Sequence, residues 1–191
     1  DVNNLKSPTC IERNAQVLAW IREHRPERVY LIAAWQAWVN PTGGYPLQDS
    51  SGLQGNDRIF AAAYPRTLQA IAPYGKDIVV VGPVPGAPKF LPYQLALVEW
   101  SGAKPPPPVS REDFVKESRN FWKVAGNPVE GVRMIHPASW FCGRSTCRYL
   151  DAGKLLYRDG HHLSIDGAHF AAKHLLASVA SAGSGSVNTS Y

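Results

Sequence analysis

The sequence predicts an α/β protein in three layers, a parallel sheet with helices on both faces. Residues 28–35 (RVYLIAAW) and 77–82 (DIVVVG) are short, nearly continuous apolar runs rich in β-formers, the pattern of strands covered on both sides. Around them lie segments whose apolar residues recur at helical spacing. Helix and buried strand therefore alternate, which is the signature of a parallel sheet. In such sheets chemistry gathers at the carboxyl ends of the strands, where Trp35, Pro83 and the region of Asp159 are expected.

Taken in order, Ile11, Ala15, Val17, Leu18 and Ile21 give a first helix over Ile11 to His24, stopped by Pro26. The strand at 28–35 follows. Asn40 to Asn56 holds Pro41, Gly43, Gly44, Pro46, Gly52 and Gly55 and reads as a loop. A helix is expected over Asp57 to Ala72, with Asn56 or Asp57 as N-cap, then the strand at 77–82 running into Gly-Pro-Val-Pro. The next stretch, with Trp100 and the stiff connector Pro105 to Pro108, reads as irregular. Ser110 caps a helix to Ala125, Val132 to Ile135 is a strand, and Leu155 to Tyr157 is a short extended piece. A last amphipathic helix covers Asp166 to Ala180, and the small, polar residues from Ser181 to Tyr191 form a flexible tail.

The chain of 191 residues has room for one domain and a sizeable core, and its 45 % apolar and 18 % charged residues are those of a globular protein. No stretch approaches the roughly 18 consecutive apolar residues that cross a bilayer, and the first residues lack the basic-then-apolar pattern of a signal peptide. The expectation is a soluble body whose export is directed from outside this sequence. The net charge of +5 is scattered, so the basic stripe that nucleic-acid binding needs is missing and no nucleic-acid partner is expected.

The densest cluster of chemistry-bearing residues is Tyr157-Arg158-Asp159-Gly160-His161-His162-Leu163-Ser164. A carboxylate three residues before an imidazole, across a turn containing Gly, can accept the ring N–H of His162 and fix its tautomer. The other ring nitrogen is then free to take a proton from a hydroxyl. The plainer alternative is that Asp159 turns the chain and both histidines are ordinary loop residues. A metal reading of His161, His162, His169 and His174 with Cys142 and Cys147 lacks the tight paired spacings of zinc motifs, and no metal is expected. Cys142 and Cys147 enclose a loop of a size that a disulfide could close, while Cys10 stands apart; three reduced, buried thiols are the alternative.

Read together, Tyr-Arg-Asp-Gly-His-His-Leu-Ser-Ile-Asp-Gly-Ala (157–168), the Cys-x₄-Cys before it, Val-Gly-Pro-Val-Pro (81–85) and the Ala-Ala-Trp at 33–35 resemble the C-terminal extracytoplasmic domain of bacterial acyltransferase family 3 membrane proteins. The resemblance runs from about residue 28 to 180 in the expected order. It implies an SGNH hydrolase-like (flavodoxin-like) fold over residues 1–180 and assigns catalytic roles to Asp159 and His162, with His161 as a filler position.

The family's nucleophile is a Ser in a Gly-Asp-Ser motif after its first strand, and this chain contains no Gly-Asp-Ser. The nearest string, Gln48-Asp49-Ser50, follows the wrong strand, and Ser164 is too close to His162. The resemblance therefore implies that the first strand, the nucleophile and a cysteine partner for Cys10 belong to an N-terminal segment outside this sequence. A sheet without that central strand is expected to expose unpaired backbone. The implied activity is O-acetyl transfer, without a cofactor, to a hydroxyl of a surface or secreted glycan. The partners are a membrane-embedded acyltransferase domain that supplies the acyl group and the glycan acceptor, at the periplasmic face of the inner membrane. Trp35 is a candidate sugar-stacking residue or a core residue beneath the site. The competing readings are an SGNH carbohydrate esterase and a non-catalytic glycan-binding module.

Overall fold

The computed structural model describes residues 8–40, 47 and 52–181. In chain order the elements are α1 (Pro8–His24), β1 (Val29–Ile32), α2 (Trp35–Val39), α3 (Asn56–Ile71), β2 (Ile78–Val81), α4 (Leu91–Ser101), β3 (Val109–Ser110), α5 (Arg111–Ala125), β4 (Val132–Ile135), α6 (Ala138–Phe141), β5 (Thr146–Cys147), β6 (Leu150–Asp151), β7 (Lys154–Leu155) and α7 (Ile165–Ser181). Three of the strands form one sheet in the order β1-β2-β4, with β1 parallel to β2 in the register Val29 opposite Ile78 through Ile32 opposite Val81. This is the α/β architecture the alternation predicts. The side chain of Cys10, the string Gln48-Asp49-Ser50 and residues 182–191 of the tail lie outside the described residues, and so do the expectations placed on them.

The chain divides into two compact units, residues 1–83 with 117–134, and residues 84–116 with 135–191. The first packs Phe60, Tyr64, Leu68, Ile78, Val80 and Phe121 into its core. All four residues of β2 are buried, as their unbroken apolar run demands, whereas β1 alternates, with Val29 and Leu31 against the core and Tyr30 and Ile32 exposed. Among the described residues β1 and β4 are the two edges of this sheet, with β2 between them. The second unit packs Leu91, Phe114, Phe141, Leu156 and Tyr157 together with the half-cystines 142 and 147.

Four local readings of the sequence are corrected, the first being the N-cap of α3, which is Gly55 without a side-chain capping bond and not Asn56 or Asp57. The run 28–35 is extended only to Ile32, and Trp35 opens the short helix α2 instead of closing a strand. Its indole N–H donates to the Val81 carbonyl at 2.7 Å, and its ring packs against Phe121, Phe60 and Tyr64 with centroids 5.0, 6.0 and 6.3 Å away. Residues 91–101, read as irregular, fold as α4. Pro92 is tolerated there because the first helical turn has no intrahelical N–H bond to lose, and Gly102 at φ 66° ends the helix. The piece at 155–157 is half of a hairpin: β6 and β7 pair antiparallel around Ala152 and Gly153, both at positive φ as a tight two-residue turn requires. Ser110 caps α5 as expected, its hydroxyl oxygen accepting the Asp113 N–H at 3.0 Å.

A partly exposed ion cluster joins the strand starts of the first unit. Asp77 accepts from Arg28 Nε at 2.5 Å, from Arg133 Nε at 3.1 Å and from Arg133 Nη2. Partial burial works to raise the Asp77 pKa, but the bonds from Arg133 and Arg28 outweigh it and hold the carboxyl below the ordinary aspartate range. A depressed native pKa contributes stability that is present above the unfolded value, near 4, and fades as pH falls through the native value. With the three side chains between about a quarter and two-fifths exposed, Asp77→Asn is expected to cost about 1–2 kcal/mol at neutral pH. The urea midpoint should drop accordingly, and the gap to wild type should narrow in acid; equal midpoints at neutral pH would contradict the assignment.

Candidate active site

Between β7 and α7 the chain makes a closed loop whose ends are pinned before any functional side chain is considered. Tyr157 and Leu163 form an antiparallel bridge, and the Arg158 N–H donates to the His162 carbonyl at 2.8 Å. Tyr157, wholly buried, donates its hydroxyl to the Pro85 carbonyl at 2.6 Å. On the far side Ser164 caps α7: its hydroxyl accepts the Gly167 N–H at 2.9 Å and donates to the Leu155 carbonyl. Gly167 must be glycine, since a Cβ there would sit 1.9 Å from the Leu156 carbonyl oxygen. Ser164 is thereby committed to the backbone, in keeping with its rejection as a nucleophile.

Inside this loop Asp159 turns back on the residues that follow it. Its Oδ1 accepts the backbone N–H of His161 at 3.0 Å and of His162 at 2.8 Å, and its Oδ2 lies 2.8 Å from His162 Nδ1. The backbone N–H groups of His161 and His162 are the main reason the Asp159 carboxyl is held far below the usual carboxylate range. An ionised carboxylate can only accept, so His162 Nδ1 must carry the hydrogen, which leaves Nε2 of the neutral ring as an unprotonated base. The His162 side chain is 57 % exposed. His161 differs: its Nδ1 lies 3.9 Å from Asp159 Oδ1, beyond hydrogen-bond distance.

The sequence paired Asp159 with His162, and the structure brings these two together. The plain turn reading is also present, because the same carboxylate that touches the ring organises the turn. Asp159, His161 and His162 offer three ligand atoms within 4.8 Å of one another. Asp159 already accepts three N–H groups, and Cys142 and Cys147 are joined by a disulfide that takes both sulfurs out of any ligand set. Trp35 is partly buried, its ring packed against the aromatic core of the first unit and its indole N–H donating to the Val81 carbonyl.

Sequence reasoning did not find what fastens the loop to the segment before α4. The Ala87 N–H donates to the Gly160 carbonyl at 2.8 Å, and a Cβ on Gly86 would lie 2.8 Å from that same oxygen. The glycines at 86 and 160 were the available signal, as positions where two backbones approach closely.

A parallel α/β framework with an Asp-x-x-His loop ahead of its last helix defines a domain of the SGNH hydrolase-like class. The family model described as "SGNH domain (fused to AT3 domains)" matches residues 1–177, and the chain belongs to that family. Among solved structures the chain is similar to the periplasmic domain of a lipopolysaccharide acetyltransferase from Salmonella ser. Paratyphi A, with a TM-score of 0.60 and 17 % sequence identity. That match covers 87 % of this chain and 61 % of the other, so the chain spans about three-fifths of that structure's length. None of the curated proteins matches it significantly. Among the described residues no helix is long and apolar enough to cross a membrane.

Replacing Tyr157 by Phe removes one hydroxyl and leaves the buried Pro85 carbonyl without its donor. The variant should lose about 1–3 kcal/mol in urea unfolding, and the amides of His161 and His162 should exchange faster with solvent. Unchanged exchange at both amides would show that the phenol does not hold the loop.

Proposed function

We propose that this chain is the extracytoplasmic O-acetyltransferase domain of an acyltransferase family 3 protein, moving an acetyl group to a hydroxyl of a cell-surface or secreted glycan. The observation that carries the reading is the 2.8 Å contact of Asp159 Oδ2 with His162 Nδ1, which leaves Nε2 as a base in an exposed loop. Membership of a family of SGNH domains fused to AT3 domains supports a membrane-embedded domain as the acyl supplier. The likeness to a lipopolysaccharide acetyltransferase domain supports acetyl as the group and a glycan as the acceptor.

In this mechanism His162 Nε2 takes the proton of a serine hydroxyl supplied by polypeptide N-terminal to this sequence, and the serine oxygen becomes acylated as an ester. The imidazolium, stabilised by Asp159, returns its proton to the departing group. His162 then deprotonates the acceptor sugar hydroxyl, which attacks the ester carbonyl; the acyl–serine bond breaks and the proton passes from His162 to the departing serine oxygen. Backbone N–H donors beside the serine would stabilise each oxyanion, at about 3 kcal/mol per donor. Asp159 stays ionised throughout, because its two backbone bonds hold it far below neutral pH.

In the full-length protein, His162→Ala should abolish acetyl transfer to glycan, a loss of about 10⁴-fold or more, while His161→Ala should leave most of it. Equal losses would mean the wrong histidine has been assigned. Free acetate released without acetylated sugar would identify an esterase instead, and wild-type protein inert toward both would favour a non-catalytic glycan-binding module.

A further inference from the structure

Helix α4 presents aromatic side chains to solvent that acyl transfer at His162 does not itself use. Phe90 is 74 % exposed, Tyr93 65 % and Trp100 85 %, while Leu91 at the start of the same helix is fully buried in the core of its unit. Tyr93 and Trp100 are seven residues apart and share a face, about 10 Å from one another along the axis. Phe90, three residues before Tyr93, is the N-cap and stands in the left-handed region at φ 55° and ψ 29° without any side-chain capping bond. An aromatic residue seldom adopts that conformation, and here burial does not compensate it. Backbone held this way clusters at ligand sites.

This strained, exposed ring departs from the seam that anchors the Asp159 loop. The Ala87–Gly160 bond, the close approach of Gly86 to Gly160 and the Tyr157–Pro85 bond tie the residues before α4 to that loop. Phe90 is three residues beyond Ala87, and His162 two beyond Gly160.

We propose that Phe90, Tyr93 and Trp100 form a platform for a pyranose oligosaccharide, the acceptor glycan, with Phe90 nearest the transfer step and Trp100 holding sugars further along. The inference rests on the acyl-transfer reading for the acceptor's role. A pyranose ring has an apolar C–H face that packs on a flat aromatic ring while its hydroxyls stay hydrated, and stiff aromatic side chains lose little entropy in binding it. A membrane surface is the lesser fit: residues 91–101 contain no Lys or Arg, and their one charge is Glu99, whereas helices lying on anionic lipid carry basic residues on the polar face.

The test uses the full-length protein with three probes: maltoheptaose, a dextran oligosaccharide and acid-released lipopolysaccharide O-chain. Calorimetric affinity and acetyl-transfer kinetics are measured for wild type, Phe90→Ala, Tyr93→Ala, Trp100→Ala and the control Trp20→Ala, an exposed aromatic of α1 in the other unit. For the probe that wild type binds, Phe90→Ala and Tyr93→Ala should each weaken affinity and raise acceptor KM about tenfold or more, with kcat falling less, and Trp20→Ala should change neither. Unchanged affinity in both variants, or no probe bound by wild type, would each overturn the platform. If wild type binds sugar but transfers no acetyl group, the acyl-transfer reading fails by itself. The affinity series then still decides the platform.

Discussion

One carboxylate, accepting three N–H groups from the two residues that follow its glycine, organises the loop on which the functional account depends. Asp159 closes the turn with one oxygen and orients the His162 ring with the other. The two backbone donors keep it ionised, and an ionised carboxylate fixes which ring nitrogen carries the proton. Turn-forming and ring-orienting are therefore one constraint: the geometry that folds the loop is the geometry that would prepare a base. The ends of the loop are held separately, by a buried phenol on one side and a capped helix on the other.

In the first unit a different interaction dominates. The Asp77 carboxylate, shared between Arg28 and Arg133, gathers the beginnings of β1, β2 and β4. The Trp35 indole bonds the Val81 carbonyl at the other end of the sheet. Between these polar fixtures the sheet is held by apolar packing of β2, whose four side chains are all buried.

How far the sequence could be read follows from the range of the forces involved. The strand at Ile78–Val81, the Ser110 cap and the Asp159–His162 contact were legible because each depends on neighbours within a few residues. The helix at 91–101 was not, since its apolar residues follow no stripe and Pro92 reads as a breaker unless one knows it lies in a first turn. Nor could the fate of Trp35 be seen, because it was decided by Phe60, Tyr64, Phe121 and a carbonyl 46 residues away. The turn at Ala152-Gly153 was missed because Ala seldom takes positive φ; the hairpin partners impose it.

Family membership and the loop geometry meet at one atom, Nε2 of His162. Nitrogen-15 NMR of the imidazole in isotopically labelled protein reports directly which ring nitrogen bears hydrogen in the neutral form. The account requires Nδ1 protonated and Nε2 bare, with that preference lost in Asp159→Asn. A neutral ring carrying its hydrogen on Nε2 in the wild-type protein would contradict it.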